Sequence, residues 1–303
     1  MSKHNGICAL CGKECELTFE HIPPKAAFNS QPAKMYSGEK ILFDQDRLPW
    51  DVQGLKYVPR QKGSGKYSLC EECNNNTGAL YGNTYKEFAY VIAEAFEQRT
   101  KEDIKGITVE GIYGARLIKQ IISMFCSVND HRFLLGYLNP HQADDAQSHS
   151  PLFQTLVGAQ MALYNAAFLM EELRAFVLNK DAKGLDKSKF KICMYATESK
   201  MIKTNGLSSV LNLPENSFVV LSEITVPPLG FILYINPPID LQHTGIDITM
   251  LADLGYDEKA NIQFPFEVLE MNTVLPNDYR SRDQIENDVN NTKKWCKENE
   301  SKE

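Results

Sequence analysis

Cys8-Ala9-Leu10-Cys11 and Cys70-Glu71-Glu72-Cys73, with Glu20-His21-Ile22-Pro23-Pro24 between them, are the stretches that decide the fold. The two pairs lie 62 residues apart. Each presents two sulfurs from one tight turn, and two such turns supply the four thiolates of a tetrahedral structural Zn²⁺. Cys15 is near enough to the first pair to serve as a substitute ligand. The second pair runs straight into Asn74-Asn75-Asn76-Thr77-Gly78, whose side chains are of the kind that open a helix.

Working outward, Leu17 to His21 predicts a short strand, closed by two prolines that cannot continue a ladder. Tyr67 to Leu69 predicts a second strand, and residues 25–65 a long excursion between the two. From Asn83 to Arg99 the apolar residues Phe88, Val91, Ile92, Ala95 and Phe96 recur at helical spacing. Thr100 to Gly111, rich in charge and glycine, reads as a linker. Beyond it, helices are expected near 112–127 and 152–178, then strands at 190–195, 218–221 and 231–235, with Pro227-Pro228-Leu229-Gly230 as a turn between the last two. The fold class is therefore α+β: a zinc-stabilised unit over 1–99, a linker over 100–111, and helices followed by antiparallel strands over 112–303. The tail from Asp278 is highly charged and reads as solvated, Arg280 and Arg282 included.

Composition bounds the function. With 43% hydrophobic and 23% charged residues, a chain of 303 residues is expected to pack as a soluble protein. No apolar run approaches the roughly 20 residues that span a bilayer. Met1 to Gly6 carries no apolar signal core, so a cytoplasmic location is expected. The net charge of −7 is unevenly spread: residues 1–100 hold 12 Lys+Arg and 12 Asp+Glu, and residues 101–303 hold 20 and 27. Inside the balanced part, Lys56, Arg60, Lys62 and Lys66 form a basic cluster. It reads either as a phosphate-docking surface or as a solvated loop. His131, His141, His149 and His243 lack metal-ligand spacing and receive no role.

A zinc-pinned turn, a Glu-His at a strand end and an Asn opening a helix resemble the HNH, or ββα-metal, endonucleases. The likeness is to the subgroup with a four-cysteine zinc and an Asn in place of the last His. It covers about residues 5–88. The resemblance implies that His21 is the general base and that Glu20 and Asn74 hold a catalytic Mg²⁺ or Mn²⁺. Asn75 and Asn76 are alternatives for the amide ligand. An imidazole titrates near neutrality, which suits a base, and carboxylate and amide oxygens suit a hard cation. Glu20 shares a cleft with His21 if the backbone turns at the strand end. The pattern also departs from the family. The middle Asn expected shortly before the second cysteine pair is missing from Gly63-Ser64-Gly65-Lys66-Tyr67-Ser68, so another group, such as a backbone carbonyl, must orient His21.

The resemblance thus implies a metal-dependent endonuclease acting on DNA. Nothing in the residues separates DNA from RNA, and a non-catalytic zinc adaptor is the rival reading. Residues 112–303 carry no recognisable catalytic motif. They fit three roles: contacting a partner protein, sensing a small-molecule activator, or joining two copies into a homodimer for double-strand cleavage. Nuclease modules joined to such domains resemble effectors of bacterial anti-phage defence.

Overall fold

The computed structural model describes residues 4–36, 48, 51–102, 104–130, 151–197, 202–212, 217–239, 241, 245–266, 268–269 and seven positions between 283 and 294. The four unassigned histidines His131, His141, His149 and His243, most of the charged tail, and Arg280 and Arg282 lie outside these residues.

Three short strands build the first sheet: β1 (Asn5–Ile7), β2 (Glu14–His21) and β5 (Gly65–Cys70), antiparallel in the order β1-β2-β5. Inside the long excursion, β3 (Ala33–Tyr36) and β4 (Tyr57–Arg60) pair as a separate two-stranded ribbon. Helix α1 (Glu71–Thr77) starts at Cys70, whose sulfur caps it by accepting from the Cys73 N–H. A π-helical turn over Gly78–Gly82 joins it to α2 (Asn83–Glu102).

The stretch read as a linker is structured. Residues 100–102 end α2, and β6 (Gly106–Tyr113) forms a ribbon with β12 (Lys259–Pro265). The isoleucines and valine of β6 alternate with polar residues, and Val109 and Ile112 enter the core. Next comes α3 (Gly114–Val128), buried along almost its whole length, and then α4 (Pro151–Leu178). A six-stranded sheet follows. Its main path is β11 (Ile246–Asp247), β7 (Phe190–Thr197), β10 (Leu229–Ile235), β9 (Ser217–Val226) and β8 (Lys203–Asn212). Those pairs are antiparallel, and β13 (Val268–Leu269) adds to β7 in parallel. The β9–β10 hairpin turns at Pro227-Pro228, as the sequence predicts.

One apolar cluster runs from Leu17 and Leu69 through Phe88, Ile121 and Phe125 to Phe231 and Leu233. The zinc-type unit is therefore seated on the rest of the chain. Arg174 of α4, 2% exposed, fixes the contact. Its Nε donates to the Ala9 carbonyl at 2.8 Å, inside the first cysteine turn, and Nη2 donates to the Asn129 carbonyl at 3.3 Å. Lys119 of α3, fully buried, caps the C-terminal end of α4. Its ammonium donates to the carbonyls of Phe176 at 2.6 Å and Asn179 at 2.7 Å. No helix among the described residues is long and apolar enough to cross a membrane.

Candidate functional site

The four cysteines of the two pairs converge. The sulfurs of Cys8, Cys11, Cys70 and Cys73 all lie within 4.8 Å of one another, and Cys11 and Cys70 are 3.9 Å apart. Four sulfurs around one zinc at about 2.3 Å sit about 3.8 Å from each other, so this group is close to the required tetrahedron. Backbone groups brace it. The Cys70 N–H donates to Cys8 Sγ at 3.3 Å, and Gly12, at φ +70°, turns the chain so that its N–H reaches the Cys8 carbonyl at 3.0 Å. A hydrogen bond from the Cys73 thiol pulls the Cys8 thiol down to about 4, and the same contact raises Cys73. Metal binding releases such thiol protons. Cys15 is outside the group, its thiol turned to the Lys13 carbonyl.

His21 is the last residue of β2 and is half-buried. Its Nε2 lies 2.9 Å from the Lys62 carbonyl. A carbonyl only accepts, so in the neutral ring Nε2 carries the proton and Nδ1 keeps a free lone pair. Phe19 meets the ring edge-on at 5.0 Å.

The turn that follows Lys62 is held by a residue that the sequence reading missed. Asn29, 3% exposed, donates from Nδ2 to the carbonyls of Pro23 and Ser64, both at 2.7 Å. Its Oδ1 accepts from the Ser64 N–H at 2.6 Å. One amide thus ties the segment after His21 to the turn that orients His21. That turn needs Gly63, at φ +96°, because a Cβ there would lie 2.1 Å from the Asn29 carbonyl oxygen. Asn29 has no local sequence signal. Only the Gly63-Ser64-Gly65 run hints that something packs closely on this turn.

Glu20 is 7% exposed and has no hydrogen-bond partner among the described residues. Burial alone pushes its carboxyl up to about 8. The β2–β5 ladder shifts register between Thr18 and Phe19, but from Phe19 on it runs in step, with Glu20 opposite Lys66 and His21 opposite Gly65. The pleat therefore sends Glu20 and His21 to opposite faces. This corrects the expectation that the backbone turns both side chains into one cleft.

Asn74 in α1 reaches the face that holds Thr18 and Glu20. The Thr18 hydroxyl donates to the Leu69 carbonyl at 2.9 Å, so toward Asn74 it must accept. Asn74 Nδ2 donates to it at 2.9 Å. This relay fixes the amide orientation and leaves Oδ1 as an open oxygen donor. Asn75 and Asn76 are exposed. Carboxylate and amide oxygens are the donor types that suit a hard cation, and among the described residues the Glu20 carboxylate has no hydrogen-bond donor.

The basic cluster divides. Lys56 and Lys62 are exposed, and the Arg60 guanidinium sits 5.9 Å from the Phe19 ring, beside His21. Lys66 turns away. Its ammonium pairs with buried Asp130 at 2.9 Å and donates to the Val128 carbonyl at 3.3 Å. It braces the zinc-type unit against the end of α3, so the reading of Lys66 as a phosphate contact is corrected.

Comparison with known family models, curated proteins and solved structures finds no match to this chain.

Proposed function

We propose that the chain is a metal-dependent endonuclease of the HNH type, hydrolysing nucleic-acid phosphodiesters at the end of β2. The observation that carries this reading is an oriented imidazole at His21 next in the chain to a buried carboxylate that has no hydrogen-bond partner among the described residues. His21 Nδ1, freed by the Lys62 carbonyl, takes a proton from water as general base. Glu20 and Asn74 Oδ1 are the groups that would hold Mg²⁺ or Mn²⁺. Bound there, the cation supplies charge neutralisation on the leaving oxygen. Arg60 and Lys62 draw the phosphate toward the end of β2 that bears His21. The four-cysteine group holds structural zinc and takes no part in the chemistry.

The test is relaxation of supercoiled plasmid in Mg²⁺ or Mn²⁺ by zinc-loaded protein. His21→Ala should keep its zinc and its unfolding transition while losing about 10²–10⁴-fold in rate. Equal cutting by this variant and the parent would remove His21 from the mechanism. Chelation by EDTA alone does not discriminate, because it also strips structural zinc.

A further inference from the structure

Phe28 lies eight positions from Glu20 and has φ 65°, a conformation that a bulky side chain rarely adopts. Its neighbours Ala27 and Asn29 are buried, at 2% and 3% exposure, yet Phe28 itself is 46% exposed. The chain holds a strained backbone in order to point an apolar ring at solvent, and strain of this kind gathers at ligand clamps. The ring does not stand alone. It stacks on Tyr90 of α2 with centroids 4.4 Å apart, and Tyr90 is 48% exposed. The β3–β4 ribbon displays a further ring, Tyr57, 47% exposed, with the Lys34 ammonium 4.8 Å from its ring centre.

The segments on either side of His21 are basic, while α2 places Lys86 5.9 Å from the Tyr90 ring and exposes Glu87 and Glu94 near it. Residues 21–36 and 52–70 together contain six Lys and Arg and no Asp or Glu, in a chain of net charge −7. Setting aside Lys66, paired with Asp130, and half-buried Arg60, the exposed cations are Lys25, Lys34, Lys56 and Lys62, of which Lys34 lies against the Tyr57 ring. Rings interleaved with cations suit a strand whose base faces are bare, since a duplex keeps those faces inside its own stack.

We propose that the surface beside His21 receives an unpaired nucleic-acid strand, its bases stacking on the Phe28–Tyr90 pair and Tyr57 and its phosphates meeting Lys34, Lys56 and Lys62. This deepens the nuclease reading by naming its substrate class, and only the cutting, not the binding, rests on that reading.

The test measures anisotropy of fluorescein-labelled dT20, U20 and the dT20·dA20 duplex with the zinc-loaded full chain in magnesium-free buffer. Single strands should bind at least about tenfold more tightly than the duplex, and three phosphate contacts should give a log–log salt slope of about −2. Phe28→Gly removes the ring while suiting the left-handed backbone, so its unfolding transition should stay close to the parent's. Its affinity for single strands should drop about tenfold, with duplex binding unmoved. Tyr57→Ser, on the exposed ribbon, should weaken the same binding and serves as a second reading. The dT20 and U20 arms separate DNA from RNA. Equal or tighter duplex binding, no binding at all, or unchanged affinity in both variants overturns the proposal. Ring-dependent binding of single strands without cutting in any divalent metal would uphold it while removing the nuclease reading. Cutting confined to duplex would do the reverse.

Discussion

Replacing Glu20 with Gln should stabilise the protein when no catalytic metal is present. Burial lifts the Glu20 carboxyl from 4.5 to about 8 without an opposing partner. Each unit of that shift is worth about 1.4 kcal/mol, so ionising Glu20 in the fold costs on the order of 5 kcal/mol, and at least about 2 after relaxation and water entry. The sign follows from proton counting. The folded pKa lies above the unfolded one, so between 4.5 and about 8 the folded state binds more protons. Stability of the parent therefore falls as pH rises through that window and levels off above it. Gln cannot ionise and is free of this slope. In urea titrations of zinc-loaded protein in magnesium-free buffer, the variant should be the more stable. Its advantage should widen by about 1–3 kcal/mol between pH 6 and pH 8. Millimolar Mg²⁺ should then stabilise the parent and leave Glu20→Gln unchanged, because a ligand of the native state adds to its stability. A variant less stable than the parent at pH 8 without Mg²⁺, or an equal response to Mg²⁺, would refute the orphaned-carboxylate argument.

Other outcomes follow from named contacts. Asn29→Ala leaves the Pro23 carbonyl and the Ser64 N–H without their partner, while the Ser64 carbonyl keeps only the Ile22 N–H. It should cost about 2–4 kcal/mol in urea unfolding and, through the loosened Lys62 carbonyl, lower kcat more than it raises KM. Cys70→Ala removes both a sulfur of the cluster and the cap of α1, so metal analysis should find zinc lost and circular dichroism a cooperative loss of structure. Arg174→Met strips the donor from the Ala9 carbonyl inside the first cysteine turn. It should cost about 1–3 kcal/mol and speed zinc release to a colorimetric chelator.

What the sequence made legible was local. The cysteine spacing, the strand ending at His21, the amphipathic run after Asn83 and the Pro227-Pro228 hairpin are each set by residues within one turn or one strand. The β6–β12 ribbon was not legible, because Tyr113 pairs with Lys259 and neither segment alone signals its partner. Charge and glycine in 100–111 therefore read as a linker. The direction of Lys66 was hidden for the same reason. Its counter-ion, Asp130, is brought to it by packing of α3 and not by sequence proximity. At the site, the identities of Glu20, His21 and Asn74 came from pattern. Their working parts came from tertiary contacts: the Lys62 carbonyl that sets the tautomer, Thr18 that sets the amide, and Asn29 that holds the turn. Asn29 does from the excursion what a side chain just before Cys70 was expected to do.

The most direct measurement is a crystal of the zinc-loaded protein soaked in Mn²⁺, with anomalous maps collected on either side of the manganese edge. The account predicts a manganese peak about 2.1 Å from a Glu20 carboxylate oxygen and from Asn74 Oδ1, over the end of β2 that bears His21. Manganese confined to exposed surface carboxylates, with Glu20 still buried and uncoordinated, would contradict it.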